Sequence, residues 1–135
     1  MRFMSLVKSK ESKMRPPPKP LMEAIDQLLQ EVGKEGCVME QAGGLFPTFA
    51  GARVRLDGGK VTVTDGPFTE AKEVVGGFAI FDVPSKAQMI RLTERFMALH
   101  KVHMPGWEGE CEVRQMAAPG EPEPCGQPKE AEAAV

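Results

Sequence analysis

No apolar run in this 135-residue chain approaches the ~20 residues that a membrane span needs. The opening MRFMSLVK lacks both an extended apolar segment and a small-residue cleavage site, so it reads as no signal peptide and points to the cytoplasm. Cysteine is scarce: Cys37, Cys111 and Cys125 form no paired spacing, which fits a reducing compartment better than a disulfide framework. Excess positive charge is also missing. Residues 117–135 carry four Glu and one Lys, net −3 of a whole-chain −2, so the preceding 116 residues sum to about +1. Such a core lacks the basic footprint of a nucleic-acid binder. No H-E-x-x-H, C-x-x-C, G-x-x-x-x-G-K or G-x-G-x-x-G string occurs, so no metal site and no cofactor is expected.

What is present suits one soluble domain over 1–116, followed by a tail, 117–135, rich in Pro, Gly, Glu and Ala. Without an aromatic residue the tail cannot bury enough surface to offset ordering entropy, and disorder is expected there. Residues 2–7 read as a first strand. Residues 8–20 hold Lys8, Lys10, Lys13, Arg15 and Lys19 among Pro16, Pro17, Pro18 and Pro20; serial prolines predict an extended loop. Its charges can bind an anion, but a solvated loop is the preferred reading. Leu21, Ile25, Leu28, Leu29 and Val32 recur at helical spacing, with Gly33 and Gly36 at the end. Residues 37–42 predict a second strand, and Gly43-Gly44 the start of a loop through Pro47.

Arg53–Asp57 and Lys60–Thr64 alternate in polarity around Gly58-Gly59, the signature of a tight hairpin. In that register Leu56 faces Val61 and Val54 faces Val63 on one side, with Asp57 and Lys60 as an opposite-charge pair on the other. Residues 74–83 place Phe78 and Ile80 on one face and Ala79 and Phe81 on the other, as in a strand buried on both sides. Gly76-Gly77 within it predicts a bulge or a close approach, a neighbouring strand being preferred to a ligand. Ser85 and Gln88 have capping-box spacing ahead of Met89, Leu92, Phe96 and Leu99. Residues 111–116 read as a last strand. The expected fold is α+β and ferredoxin-like: an antiparallel sheet with two helices on one face. The doubly apolar strand then needs a second cover, and a second copy of the chain is the simplest one, so a homodimer is expected.

The string GARVRLDGGKVTVTDGPFTEAKEVVGGFAIFDV, residues 51–83, closely resembles the signature region of the YCII-related (DGPF) family. Asp65-Gly66-Pro67-Phe68 is the naming motif, and Glu70, Lys72, Glu73, Gly76 and Gly77 match its continuation. His103-Met104-Pro105-Gly106-Trp107-Glu108-Gly109-Glu110 resembles one branch of it. The resemblance implies a bacterial, uncharacterised domain pairing as a dimeric α/β barrel. A His–Asp pair has been proposed as catalytic in the YCII branch, the His lying near the start of the first helix. Residues 15–25 contain no His, so that pair does not carry over. Some relatives are associated with extracytoplasmic-function sigma factors.

The candidate catalytic residues are Asp65, Glu70 and His103, and the candidate ligand-binding residues are Asp65, Phe68, Glu70, Lys72 and Trp107. Carboxylates crowded on one turn can divide acid and base roles when their surroundings separate their pKa values. Solvated charges look the same in sequence and are the preferred reading. Asp65 is expected to act chiefly as a cap on the Phe68 N–H, since Pro67 has none to offer. His100 and His103 share a helix face but lack further ligands in sequence. Trp107, the only Trp, can line a pocket, anchor a second subunit or cover the core. Two function classes stand: a small-molecule-binding or enzymatic dimer with a cleft between helices and sheet near Asp65, or a non-catalytic accessory or regulatory protein linked to sigma-factor systems. The expected partners are a second copy and an unidentified small molecule, with no nucleic acid and no membrane.

Overall fold

A computed structural model describes residues 1–67, 73–118 and 120. Strand β1 spans Arg2–Ser9 and helix α1 Lys19–Lys34; strands β2, β3, β4 and β5 span Val38–Gly44, Ala52–Asp57, Lys60–Asp65 and Val74–Asp82; helix α2 spans Lys86–His103 and strand β6 Glu110–Gln115. Four strands form one antiparallel sheet in the order β2–β5–β1–β6, while β3 and β4 form a separate two-stranded sheet. The fold is thus α+β and ferredoxin-like, with the β3–β4 hairpin inserted between β2 and β5.

The stretch after β1 is less extended than its prolines suggest. Strand β1 runs on to Ser9, a single 3-10 turn follows at Glu11–Lys13, and α1 opens at Lys19 with Pro20 in its first turn. Proline is tolerated there because the N–H it lacks would have no helical partner. Gly36 closes α1 with φ +89°, the left-handed turn that glycine adopts most readily. Gly43 and Gly44 do not begin a loop; they pair with Phe78 and Gly77 as the end of β2.

Both helices lie on one face of the main sheet. Leu28 and Val32 of α1 and Met89 and Leu92 of α2 pack with Phe3, Cys37, Phe81 and Val83 in the core. Strand β5 is apolar on both sides, as expected: Phe81 toward the helices is 5% exposed and Ile80 on the opposite side 9%, while Phe78 is half-buried. The β1–β5 register skips Gly76 between Val75 and Gly77, a bulge, and a Cβ on Gly77 would lie 3.3 Å from the Gly43 carbonyl oxygen. Both readings of this glycine pair therefore hold, with the neighbouring strand as the close partner.

Ser85 accepts a hydrogen bond from the Gln88 N–H at 3.2 Å. The reciprocal half of the box is not made: the Gln88 amide donates instead to the Glu35 carbonyl at 3.3 Å, tying the start of α2 to the end of α1. Among the described residues no helix is long and apolar enough to cross a membrane.

The hairpin has the expected register, with Leu56 opposite Val61, Val54 opposite Val63 and Asp57 opposite Lys60. Gly58 and Gly59 carry φ of +58° and +79°, the pair of positive values that a type I′ turn needs. Two expectations differ. Asp57 and Lys60 face each other but form no ion pair, since both are solvated and gain little by being held together. The apolar face of the hairpin is also uncovered: Val54, Leu56, Val61 and Val63 are 64–75% exposed.

Candidate functional site

Small residues on the helix-facing side of the sheet leave room beneath bulky helix residues. Ser5, Ala42, Gly43, Gly44, Gly77 and Ala79 form the floor, and Ile25, Leu28 and Leu29 of α1 with Met89, Leu92 and Phe96 of α2 form the roof. The cavity is about 350 Å3. Among the described residues no charged side chain lines it. Its polar groups are the Ser5 and Thr93 hydroxyls and the Cys111 thiol. The Thr93 hydroxyl donates to the Met89 carbonyl at 2.8 Å, and Ser5 Oγ lies 3.5 Å from the Ala79 carbonyl. Burial pushes the Cys111 thiol pKa above its ordinary value, only partly opposed by a hydrogen bond with Ser5. Burial likewise raises Cys37. Each thiol is thus held protonated at neutral pH, a poor starting point for a nucleophile.

The residues singled out from sequence sit elsewhere. Asp65 is exposed at the end of β4, opposite Ala52, and does not line the cavity. His103 is the last residue of α2 and half-buried; it too is outside the cavity lining. No hydrogen bond or ion pair joins Asp65 to His103. Phe68, Glu70 and Lys72 lie outside the described residues, and with them the expected cap from Asp65 to the Phe68 N–H. Trp107 covers the end of α2, its ring centroid 4.8 Å from that of His100. His100 is buried, with Nδ1 3.0 Å from the Phe96 carbonyl oxygen. Among the described residues no group of three His, Cys, Asp or Glu side chains is placed to hold a metal ion.

Gly66 of the naming motif has a structural task at the hairpin root. The Gly66 N–H donates to the Gly51 carbonyl at 2.9 Å, and the Gly66–Pro67 peptide is cis. A Cβ on Gly66 would come within 1.6 Å of the Thr48 carbonyl oxygen, so only glycine fits against the Thr48–Ala50 turn. That turn is anchored in its own right. The Glu11 carboxylate accepts from the Thr48 N–H at 2.6 Å and from its hydroxyl at 2.7 Å.

On the sheet face away from the helices, Lys8 and Glu112 are paired at 2.6 Å on adjacent strands. The hydrogen bond between them raises the pKa of Lys8 and lowers that of Glu112.

The expected cleft between helices and sheet is present as this cavity, but Asp65 is not in its lining, and no chemically distinctive residue marks the cavity in sequence. Its traces in sequence are Ser5 on the buried face of β1 and the small residues Gly43, Gly44, Gly77 and Ala79, which oppose bulky helix side chains.

Topology and cavity together define a ferredoxin-like α+β domain with an apolar chamber between its layers. Residues 1–100 match the YCII-related domain, and the chain belongs to that family. The closing segment 103–110 falls outside the matched residues. An uncharacterized protein of Rhizobium meliloti (strain 1021) is 39% identical over 64 residues, which cover 47% of this chain and 48% of that protein. The similarity thus spans about half the length of this curated relative.

Proposed function

We propose that the protein binds a small, predominantly apolar molecule in the chamber between helices and sheet. The observation that carries this reading is the lining itself: about 350 Å3 walled by aliphatic and aromatic groups, with two hydroxyls and a thiol for orientation. An uncharged fluorescent probe, N-phenyl-1-naphthylamine, should bind the wild type with enhanced emission. Thr93→Phe and Met22→Trp, both at lining positions, should each weaken that binding. Unchanged binding in both variants would place the probe elsewhere and overturn the reading. Native mass spectrometry of gently purified protein then identifies any retained molecule.

The working unit we propose is a homodimer. Besides the four hairpin residues, Phe46 and Phe49 beside the hairpin root are 82% and 68% exposed. An aromatic side chain carries ~150–250 Å2, so these two alone leave at least about 200 Å2 open. With the four aliphatic side chains the patch reaches on the order of 600 Å2, the upper end for a monomer surface. Buried once on each copy, it would meet the ~1,200 Å2 of a stable interface. Multi-angle light scattering should give twice the chain mass for the wild type and the single mass for Leu56→Asp. A wild-type monomer at micromolar concentration would overturn this part.

A further inference from the structure

A second recess, about 420 Å3, adjoins the first, with Gly44 in the wall of both. Gly76, which lines the second, is followed directly by Gly77, which lines the first. The backbone there is tied by the Leu45 N–H to the Gly76 carbonyl at 2.9 Å. A Cβ on Gly44 would meet nothing within 4 Å, so the space beside this shared residue is open. The second recess is also apolar, with Met14, Pro16, Pro17, Leu45, Phe46 and Pro47 in its wall. Among the described residues one charged side chain occurs in either lining, Arg15, in the wall of the second recess.

The surroundings of Arg15 leave its charge available. The guanidinium donates to the Pro105 carbonyl at 3.3 Å, and among the described residues no carboxylate pairs with it. A guanidinium has five N–H donors, so a second acceptor can be served without breaking that bond. The prolines that follow fix the chain direction into α1. The first turn of α1 contains no acidic residue, and its N-terminus, at Lys19, adds partial positive charge a few residues beyond Arg15. Lys8 of the same basic stretch is by contrast already engaged by Glu112 and Glu110.

We infer that the ligand is a monoanionic amphiphile, with its apolar body in the chamber and its carboxylate at the mouth against Arg15. This rests on the chamber being the ligand site and adds the ligand's class. The Arg15 fork suits a planar carboxylate, which accepts two parallel N–H bonds.

The test uses full-length protein with bound N-phenyl-1-naphthylamine, displaced at pH 7.5 by octanoate or by 1-octanol, which share a chain length but not a charge. Octanoate should displace the probe about fivefold better, the upper end for an exposed charge pair, and added salt should shrink the difference. Arg15→Gln should abolish the preference while leaving octanol unchanged, and Arg15→Lys should retain part of it. Equal displacement by both compounds, or a preference that survives Arg15→Gln, would overturn the inference and leave the chamber reading intact. Failure of the neutral probe to bind wild type at all would overturn both.

Discussion

The main sheet and the β3–β4 hairpin carry the same sequence signal and meet opposite fates. Although β5 of the main sheet is apolar on its other face as well, each region sets apolar residues two apart along a strand onto one face. In the main sheet that face meets α1 and α2, and Phe3 and Phe81 are almost fully buried. In the hairpin no element among the described residues buries it, and Val54, Leu56, Val61 and Val63 stand open to solvent. Alternation therefore specifies which residues face the same way, and says nothing about what, if anything, covers them. An isolated two-stranded hairpin is marginal in water. This one is held at its root, where Gly66 seats against the Thr48 turn that Glu11 fastens.

The largest expected effect separates the two regions directly. Phe81→Ala should cost ~3–5 kcal/mol in urea unfolding, because it leaves a cavity in the packed core. Leu56→Ala, at protein concentrations low enough to keep the chain monomeric, should cost no more than ~0.5 kcal/mol. Equal costs at high dilution would mean that the hairpin is covered within a single protomer, and the contrast would collapse.

Gly66→Ala comes next. The added methyl has no room against the Thr48 carbonyl, and overpacking of this kind costs ~1–3 kcal/mol. If the root is a local anchor, hydrogen exchange should speed up across 52–65 more than in β1 or β5. A uniform change over all strands would show the hairpin and main sheet to be one cooperative unit.

Ser85→Ala removes the side-chain acceptor that caps α2 and should lower stability by ~0.5–2 kcal/mol. Its hairpin counterpart, Asp57→Ala, removes a solvated charge without a partner and should stay within ~0.5 kcal/mol. A comparable loss from Asp57→Ala would reveal a cross-strand attraction that the geometry does not contain.

The smallest effect concerns pH. The Glu112 pKa is lowered from 4.5 by Lys8, so its share of the pair's stability is present above about that pH and is lost as pH falls through the folded-state value. The Lys8 pKa is raised from 10.5, so its share is present below that pH and is lost as pH rises through the folded-state value. Melting temperatures of wild type and Glu112→Gln should differ slightly between these limits and converge beyond them. Both side chains are partly exposed, so salt should reduce the difference. A difference that persisted well below pH 4 would assign it to packing instead of charge.

Local patterns carried most of the fold. Helix stripes, the capping serine at Ser85, the Gly58-Gly59 turn and the hairpin register are set by neighbours a few residues apart, where 3.6- and 2-residue periods and backbone sterics dominate. Local reading faltered at Pro20, where the position in the helix decides whether the missing N–H matters. It faltered again at Gly43-Gly44, where pairing with β5 outweighs the loop preference of glycine. The candidate site was less legible. Titratable residues such as Asp65 and His103 attract notice in a sequence, whereas a chamber walled by Leu, Phe, Met and small residues has the composition of any core.

By itself the sequence determined the two helices, the strand pairs with close sequence partners and the reason for glycine at the hairpin turn, because these depend on intrinsic conformational preferences of short segments. Only the tertiary structure decided which apolar face is buried and which is left open, that Gly66 is required by the carbonyl of Thr48, and that Arg15 lines a recess adjoining the chamber. Each of these depends on distances between segments tens of residues apart, which close packing fixes and linear order does not encode.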